Sequence, residues 1–181
     1  MGRSTTPDVW PSLIVALVRI KERLAEVDGG FWPFHLPELR ASDSLLQSTE
    51  SKLGFRFQDS YRDFLLHSNG WKGFFQTIDL LSCDELIGGE HQRYFWGAHA
   101  GLQPEEWQRV GLDQSKILPI GVTLEDRASF VLDFSNTGKQ RFLWLGAEVV
   151  DEWGDFADFF RSMIEYNRLE IDSFVAANPP S

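Results

Sequence analysis

Four histidines, one cysteine and several adjacent carboxylates are the side chains best suited to chemistry in this 181-residue chain. His91 and His99 stand eight apart in a Gly-rich, aromatic segment. Zinc sites use tighter spacings with cysteine partners, so the pair reads as surface histidines on a loop. His67 follows Asp63 by one helical turn, and a histidine at a helix C-terminus complements the helix dipole. His35 stands alone in a proline-punctuated stretch. Cys83 opens an expected short helix, where a thiolate would be favoured. Asp84 and Glu85 follow it and no basic residue adjoins it, so it reads as a small buried residue. The signatures GxSxG, P-loop, HExxH and GxGxxG do not occur. The chain is therefore expected to be non-catalytic, with no cofactor and no metal.

The acids carry more information. From Glu148 to Asp158, within AEVVDEWGDFAD, there are five acids and no Lys or Arg. One reading is a solvated face with aspartates placed favourably at a helix start. The other is a partner-binding surface made by Asp151, Glu152 and Asp155, with Trp153 as its aromatic anchor. Glu125 and Asp126 are the second acidic pair assigned to that surface. As a paired set they could also do acid–base work, but sequence fixes no distance between carboxylates on different elements.

Composition sets the frame for these residues. The chain is 43% hydrophobic and 24% charged, with fifteen Phe and seven Trp, which suits one globular domain with a core of large rings. A formal net charge of −10 repels nucleic acid and attracts basic proteins. A single cysteine allows no internal disulfide and fits a reducing compartment. The apolar run Leu13–Val18 is too short for a membrane helix and is followed by Arg19, Lys21, Glu22 and Arg23. A cytoplasmic protein is expected.

Periodicity then places the elements. A helix is expected from about Val9 to Val27, capped by Asp8 and stopped by Asp28-Gly29-Gly30. FWPFHLPELR is a loop punctuated by Pro33 and Pro37. Ser44 and Gln47 form a capping box for a helix to Leu53. Asp59 caps a third helix from Ser60 to Ser68, which Asn69-Gly70 ends. Short strands follow at Trp71–Phe75 and Gln76–Leu80. Ser82 and Glu85 make a capping box for a short helix. HQRYFWGAHAGL has no assignable pattern, and Pro104–Arg109 is a further helix. Strands are expected at Ile117–Val122, Ser129–Phe134 and Gln140–Leu145, the last two joined by a turn at Ser135-Asn136-Thr137-Gly138. A fourth lies near Glu148–Val150. The final helix starts near Trp153 or Asp155, runs to Ala177 and ends at Asn178-Pro179-Pro180. Helices, then strands, then a helix imply an α+β fold, a mainly antiparallel sheet flanked by N-terminal helices and a C-terminal helix.

Three of these segments together resemble the SUKH superfamily, which includes cell-wall assembly regulators of the Smi/Knr type and many bacterial immunity proteins. ESKLGFRFQDSYRDFLLHSNGW is similar to its Glu-bearing helix, Leu-Gly, turn, Tyr-bearing helix and closing Asn-Gly. ILPIGVTLEDRASFVLDFSN is similar to its central strand pair, and EVVDEWGDFADFFRSMI to its strand-to-helix close. Gln58 stands where the family usually has proline, and Glu125-Asp126-Arg127 where it often has more glycine. The resemblance implies a single domain over 1–181, with a family core at 44–166 and an N-terminal extension over 1–40. It also implies function by binding: neutralisation of a cognate toxin, a basic nuclease being the natural partner, or alternatively an adaptor role in cell-wall or stress signalling.

Overall fold

The computed structural model describes residues 8–136 and 138–178. Thr137 of the expected turn and Pro179-Pro180 lie outside them. Helix α1 (Trp10–Val27) carries Pro11 in its first turn, where a missing N–H costs nothing. Val9, not Asp8, is the cap residue, and the Asp8 carboxylate instead accepts from the Trp10 amide at 3.2 Å. Trp10, Leu17, Lys21 and Leu24 form its buried stripe.

Helix α2 (Asp43–Leu53) is capped by Ser42, whose hydroxyl accepts from the Leu45 amide at 3.1 Å. The expected cap, Ser44, lies inside the helix and meets only the Ser42 hydroxyl. Helix α3 (Asp59–Leu65) begins after Gln58 and ends at Leu66, four residues before Gly70. Asn69-Gly70 is therefore not the helix stop. Asn69 instead accepts from the Cys83 amide at 2.8 Å, and Gly70 has φ +96°. A Cβ on Gly70 would stand 2.8 Å from the Leu80 carbonyl oxygen. Close backbone approach as well as positive φ requires glycine there.

Strands β1 (Trp71–Phe75) and β2 (Ile78–Leu80) form a tight hairpin, with Gln76 at φ +51° in its turn. Ser82 and Glu85 cap α4 (Cys83–Leu86) in both directions, as the spacing predicts. The unassigned segment is helix α5 (Glu90–Ala98), followed by α6 (Pro104–Arg109) and a 3-10 turn. Strands β3 (Ile117–Val122), β4 (Ser129–Asp133), β5 (Arg141–Leu145) and β6 (Val149–Trp153) complete the sheet, and α7 (Phe156–Ala177) closes the chain. All six strands pair antiparallel in sequence order, so the fold is α+β.

Helices cover both faces of the sheet, and β3 and β4 are accordingly buried along their whole length. On one face Phe130, Phe142 and Trp144 meet Phe159, Phe156 and Tyr166 of α7 at centroid distances of 5.0–5.1 Å. Helix α1 joins this layer through Trp10, whose ring lies 5.3 Å from Phe64 and 5.4 Å from Phe160. The fully buried rings among them, Phe130, Phe142, Phe156 and Phe159, contribute roughly 1.5–3 kcal/mol each. Helix α5 lies over the other face, where Gln92 donates to the Pro119 carbonyl at 2.9 Å.

That packing corrects the histidine reading. His99 is buried at the end of α5, its Nδ1 2.8 Å from the Phe95 carbonyl oxygen and its ring 4.4 Å from that of Phe95. His91 is held between Asp79 at 3.3 Å and Glu85 at 3.4 Å. Neither lies on a loop, because α5 uses this aromatic segment to cover β3.

Residues 31–41 form a strap without regular secondary structure, tethered beside the start of β1. The Glu38 amide donates to Gly70, the Asn69 amide to Leu39, and the Trp71 indole to His35. Further along, a Cβ on Gly73 would stand 3.0 Å from the Pro33 carbonyl oxygen. The opposite edge of the sheet, β6, has no strand beyond it among the described residues.

Candidate functional site

The acidic run becomes the edge strand β6 and the cap of α7. Consecutive strand residues point to opposite faces, so Asp151 and Trp153 face α7 while Glu152 faces away. The Asp151 carboxylate accepts from the Tyr166 hydroxyl at 3.0 Å and from the Glu152 amide at 2.8 Å. Burial, then the hydrogen bond and charge of Asp151, push the Tyr166 phenol upward. Trp153 is half-buried; its indole donates to Ser162 at 2.8 Å and lies edge-on to Phe159 at 5.2 Å.

Glu152 is exposed and accepts from Arg141 at 2.9 Å. The same guanidinium reaches buried Asp133 at 2.7 Å and the Gly111 carbonyl at 2.7 Å. Arg141 is thus held by an internal carboxylate, and Glu152 is the outer end of a fixed polar chain. Asp155 caps α7 by accepting from the Ala157 amide at 2.8 Å. The expectation that Asp151, Glu152 and Asp155 are all exposed holds for Glu152; the other two are half-buried, because one pairs with α7 and the other starts it.

Glu125 and Asp126 occupy the exposed β3–β4 turn, where Asp126 accepts from the Ala128 amide at 2.6 Å. That turn lies at the Val149 end of the sheet, and β5 separates it from β6; Asp155 lies at the other end. The two acidic groups therefore do not form one continuous patch. Asp151, Glu152 and Trp153 share an edge rather than a face.

The family-like segments have clear local reasons. Glu50 of α2 accepts from the Phe57 amide at 2.8 Å and pairs with Arg62 of α3, fixing the turn between these helices. Gln58 has φ −56° and ψ 145°, angles a proline would adopt. It uses its freedom differently. Its amide donates to Gln140 at 2.7 Å, its side chain donates to Gly154 at 2.7 Å, and its side-chain oxygen accepts from Phe156 and Ser60. Tyr61 and Cys83 are both buried, and burial raises the pKa of each.

Sequence reasoning missed Arg141, Ser162 and Tyr166, the groups that fix the acidic edge, because each meets its acid only through sheet register or helix packing. It also passed over the strap as a plain loop. The signal there was the repeated apolar residues between two prolines in FWPFHLPELR.

A six-strand antiparallel meander with helices on both faces and a helix started by an acidic edge defines a single-sheet α+β domain. Comparison with protein families matches residues 40–162 to the SMI1/KNR4 family (SUKH-1), and the chain belongs to that family. A search of curated proteins finds no match. No helix among the described residues is long and apolar enough to cross a membrane.

Proposed function

We propose that the chain is a non-catalytic, cytoplasmic binding protein that neutralises a cognate toxin by direct contact. Membership of the SMI1/KNR4 family (SUKH-1) is the observation that carries this reading. The net charge of −10 supports a basic partner, and a nuclease fits best because carboxylates reproduce the electrostatics of phosphate. The acidic edge at Asp151 and Glu152 offers such a partner charge on a rigid support. The test is co-expression with candidate basic toxin domains, beginning with any encoded beside this gene. Protection of the cell, a purified complex and loss of toxin activity in vitro are expected. Survival that does not depend on the chain, or a toxin fully active in its presence, would remove the reading.

Membership of the same family is equally compatible with a second reading, an intracellular adaptor of the Smi/Knr type in cell-wall or stress signalling. It predicts a stable host partner in cells that encode no toxin.

A further inference from the structure

Exposed apolar side chains are unevenly spread over this molecule. Among the described residues, seven of the ten large exposed hydrophobics lie outside the family match at 40–162. Those outer segments hold only about a third of the chain. Four of the seven sit on the strap: Phe31, Phe34, Leu36 and Leu39 are 66, 39, 61 and 89% exposed. A lone exposed leucine is ordinary, but four such residues concentrated on one short tethered segment are not scattered singly.

The strap holds these side chains ready. Pro33 and Pro37 fix two backbone angles, and the hydrogen bonds to Gly70, Asn69 and Trp71 fix the path. The Phe31 ring lies edge-on to Trp32 at 4.5 Å and 5.9 Å from Phe174 of α7. A surface ordered at folding loses little further entropy on binding. The rim is acidic. Asp28 accepts from the Gly30 and Trp32 amides, and Glu170 accepts from the Trp32 indole and from Gln76. Glu38 is exposed between Leu36 and Leu39. Arg40 and Lys72 are exposed cations along the strap, set within a chain of net charge −10. That charge disfavours a second copy of the same surface and favours a cationic one.

We infer that the strap is a protein-docking surface, and that its partner presents apolar side chains framed by lysine or arginine. The inference rests on the binding reading above and assigns its apolar anchor to the strap, with the β6 acids left to steer the approach.

The test uses the full chain and synthetic peptides in which Leu or Phe alternates with Lys or Arg, screened on an array and measured in solution by fluorescence anisotropy. Wild-type chain is expected to bind a subset. Phe31→Ser and the pair Leu36→Ser with Leu39→Ser should weaken that binding about tenfold or more, with melting temperatures close to wild type. Replacing the peptide's apolar residues by Ser, or its cations by Glu, should abolish binding. Unchanged affinity in the strap variants, equal binding by the Ser-substituted peptides, or no peptide bound by wild type would each overturn the inference. So would a dimer in sedimentation that the strap variants dissolve, which would give the surface to a second copy. If wild type neutralises a candidate toxin and the strap variants do so equally, the strap fails and the neutralisation reading stands. If wild type does not neutralise, that reading fails, and the peptides alone decide the strap.

Discussion

Lys21 of α1 donates its ammonium to the carbonyl of Gly73 on β1 at 2.5 Å, and only 2% of Lys21 is exposed. Burial lowers its pKa from 10.5 to about 8, with Asp28 opposing the shift. Between those values the unfolded chain binds more protons than the folded one, so stability rises with pH. Below about pH 8 the full cost remains, and above 10.5 it is gone. Wild type should therefore gain on Lys21→Met by about 2–3 kcal/mol between pH 7 and 10. Urea unfolding of both proteins across that range measures it, and parallel profiles would show that the ammonium is not desolvated. Buried Tyr61 acts in the opposite direction at high pH, but equally in both proteins.

Gly70 and Gly54 separate two reasons for glycine. Gly54 has φ +77° with open space around its Cβ position, whereas Gly70 has φ +96° and would meet the Leu80 and Ser82 backbone. Gly54→Ala should cost about 1 kcal/mol, from conformational strain alone. Gly70→Ala should cost at least about 2 kcal/mol, because the hairpin must also move. Equal melting temperatures for the two variants would show that the Gly70 contact is not tight.

The structure ties Trp153 to α7 through Ser162 and Phe159. Trp153→Ala should therefore lower stability by about 2–4 kcal/mol. A variant that melts with wild type but binds its partner poorly would make the indole a contact residue only.

Charge reversal at the acidic edge is a poor probe, since Asp151, Glu152 and Asp155 each accept an internal hydrogen bond. The isosteric changes Asp151→Asn and Glu152→Gln remove charge while keeping shape. They should change stability by about 1 kcal/mol or less each and slow association with a basic toxin. The salt dependence of the wild-type on-rate should weaken with them. Stopped-flow kinetics at two ionic strengths decide it; unaltered rates would leave these acids a purely structural role.

Cys83 is fully buried, and burial raises its thiol pKa against the hydrogen bond from Thr49. Its reaction with a thiol reagent should be slower than in the urea-unfolded chain, on the order of a thousandfold or more. A native rate near the unfolded one would mean that α4 opens freely.

The strands were legible as short apolar runs bounded by turn residues, which suits strands such as β4 that are buried on both faces. The Ser82–Glu85 box and the Asp155 cap were legible because each is a contact within a few residues. Helix α5 was not, since its buried residues, Gln92 and Phe95, are few and one is polar; its partner, the Pro119 carbonyl, lies on a distant strand. The acidic residues were legible as a run but not as a site, because their division between faces follows from β5–β6 register and their partners from α7 packing. Asn69-Gly70 was read correctly as special and wrongly as a helix stop, since Leu80 and Ser82 are what constrain it.

The strap also changes how this sheet counts as a building block. In polymer terms a sheet with two free edges is a bifunctional monomer, and end-to-end pairing extends it without limit. Pro33 crowds Gly73 and the Lys21 ammonium occupies the Gly73 carbonyl, so β1 is obstructed, whereas β6 has no strand beyond it among the described residues. A sheet obstructed at one edge is closer to a monofunctional unit, for which edge pairing between copies would stop at two molecules.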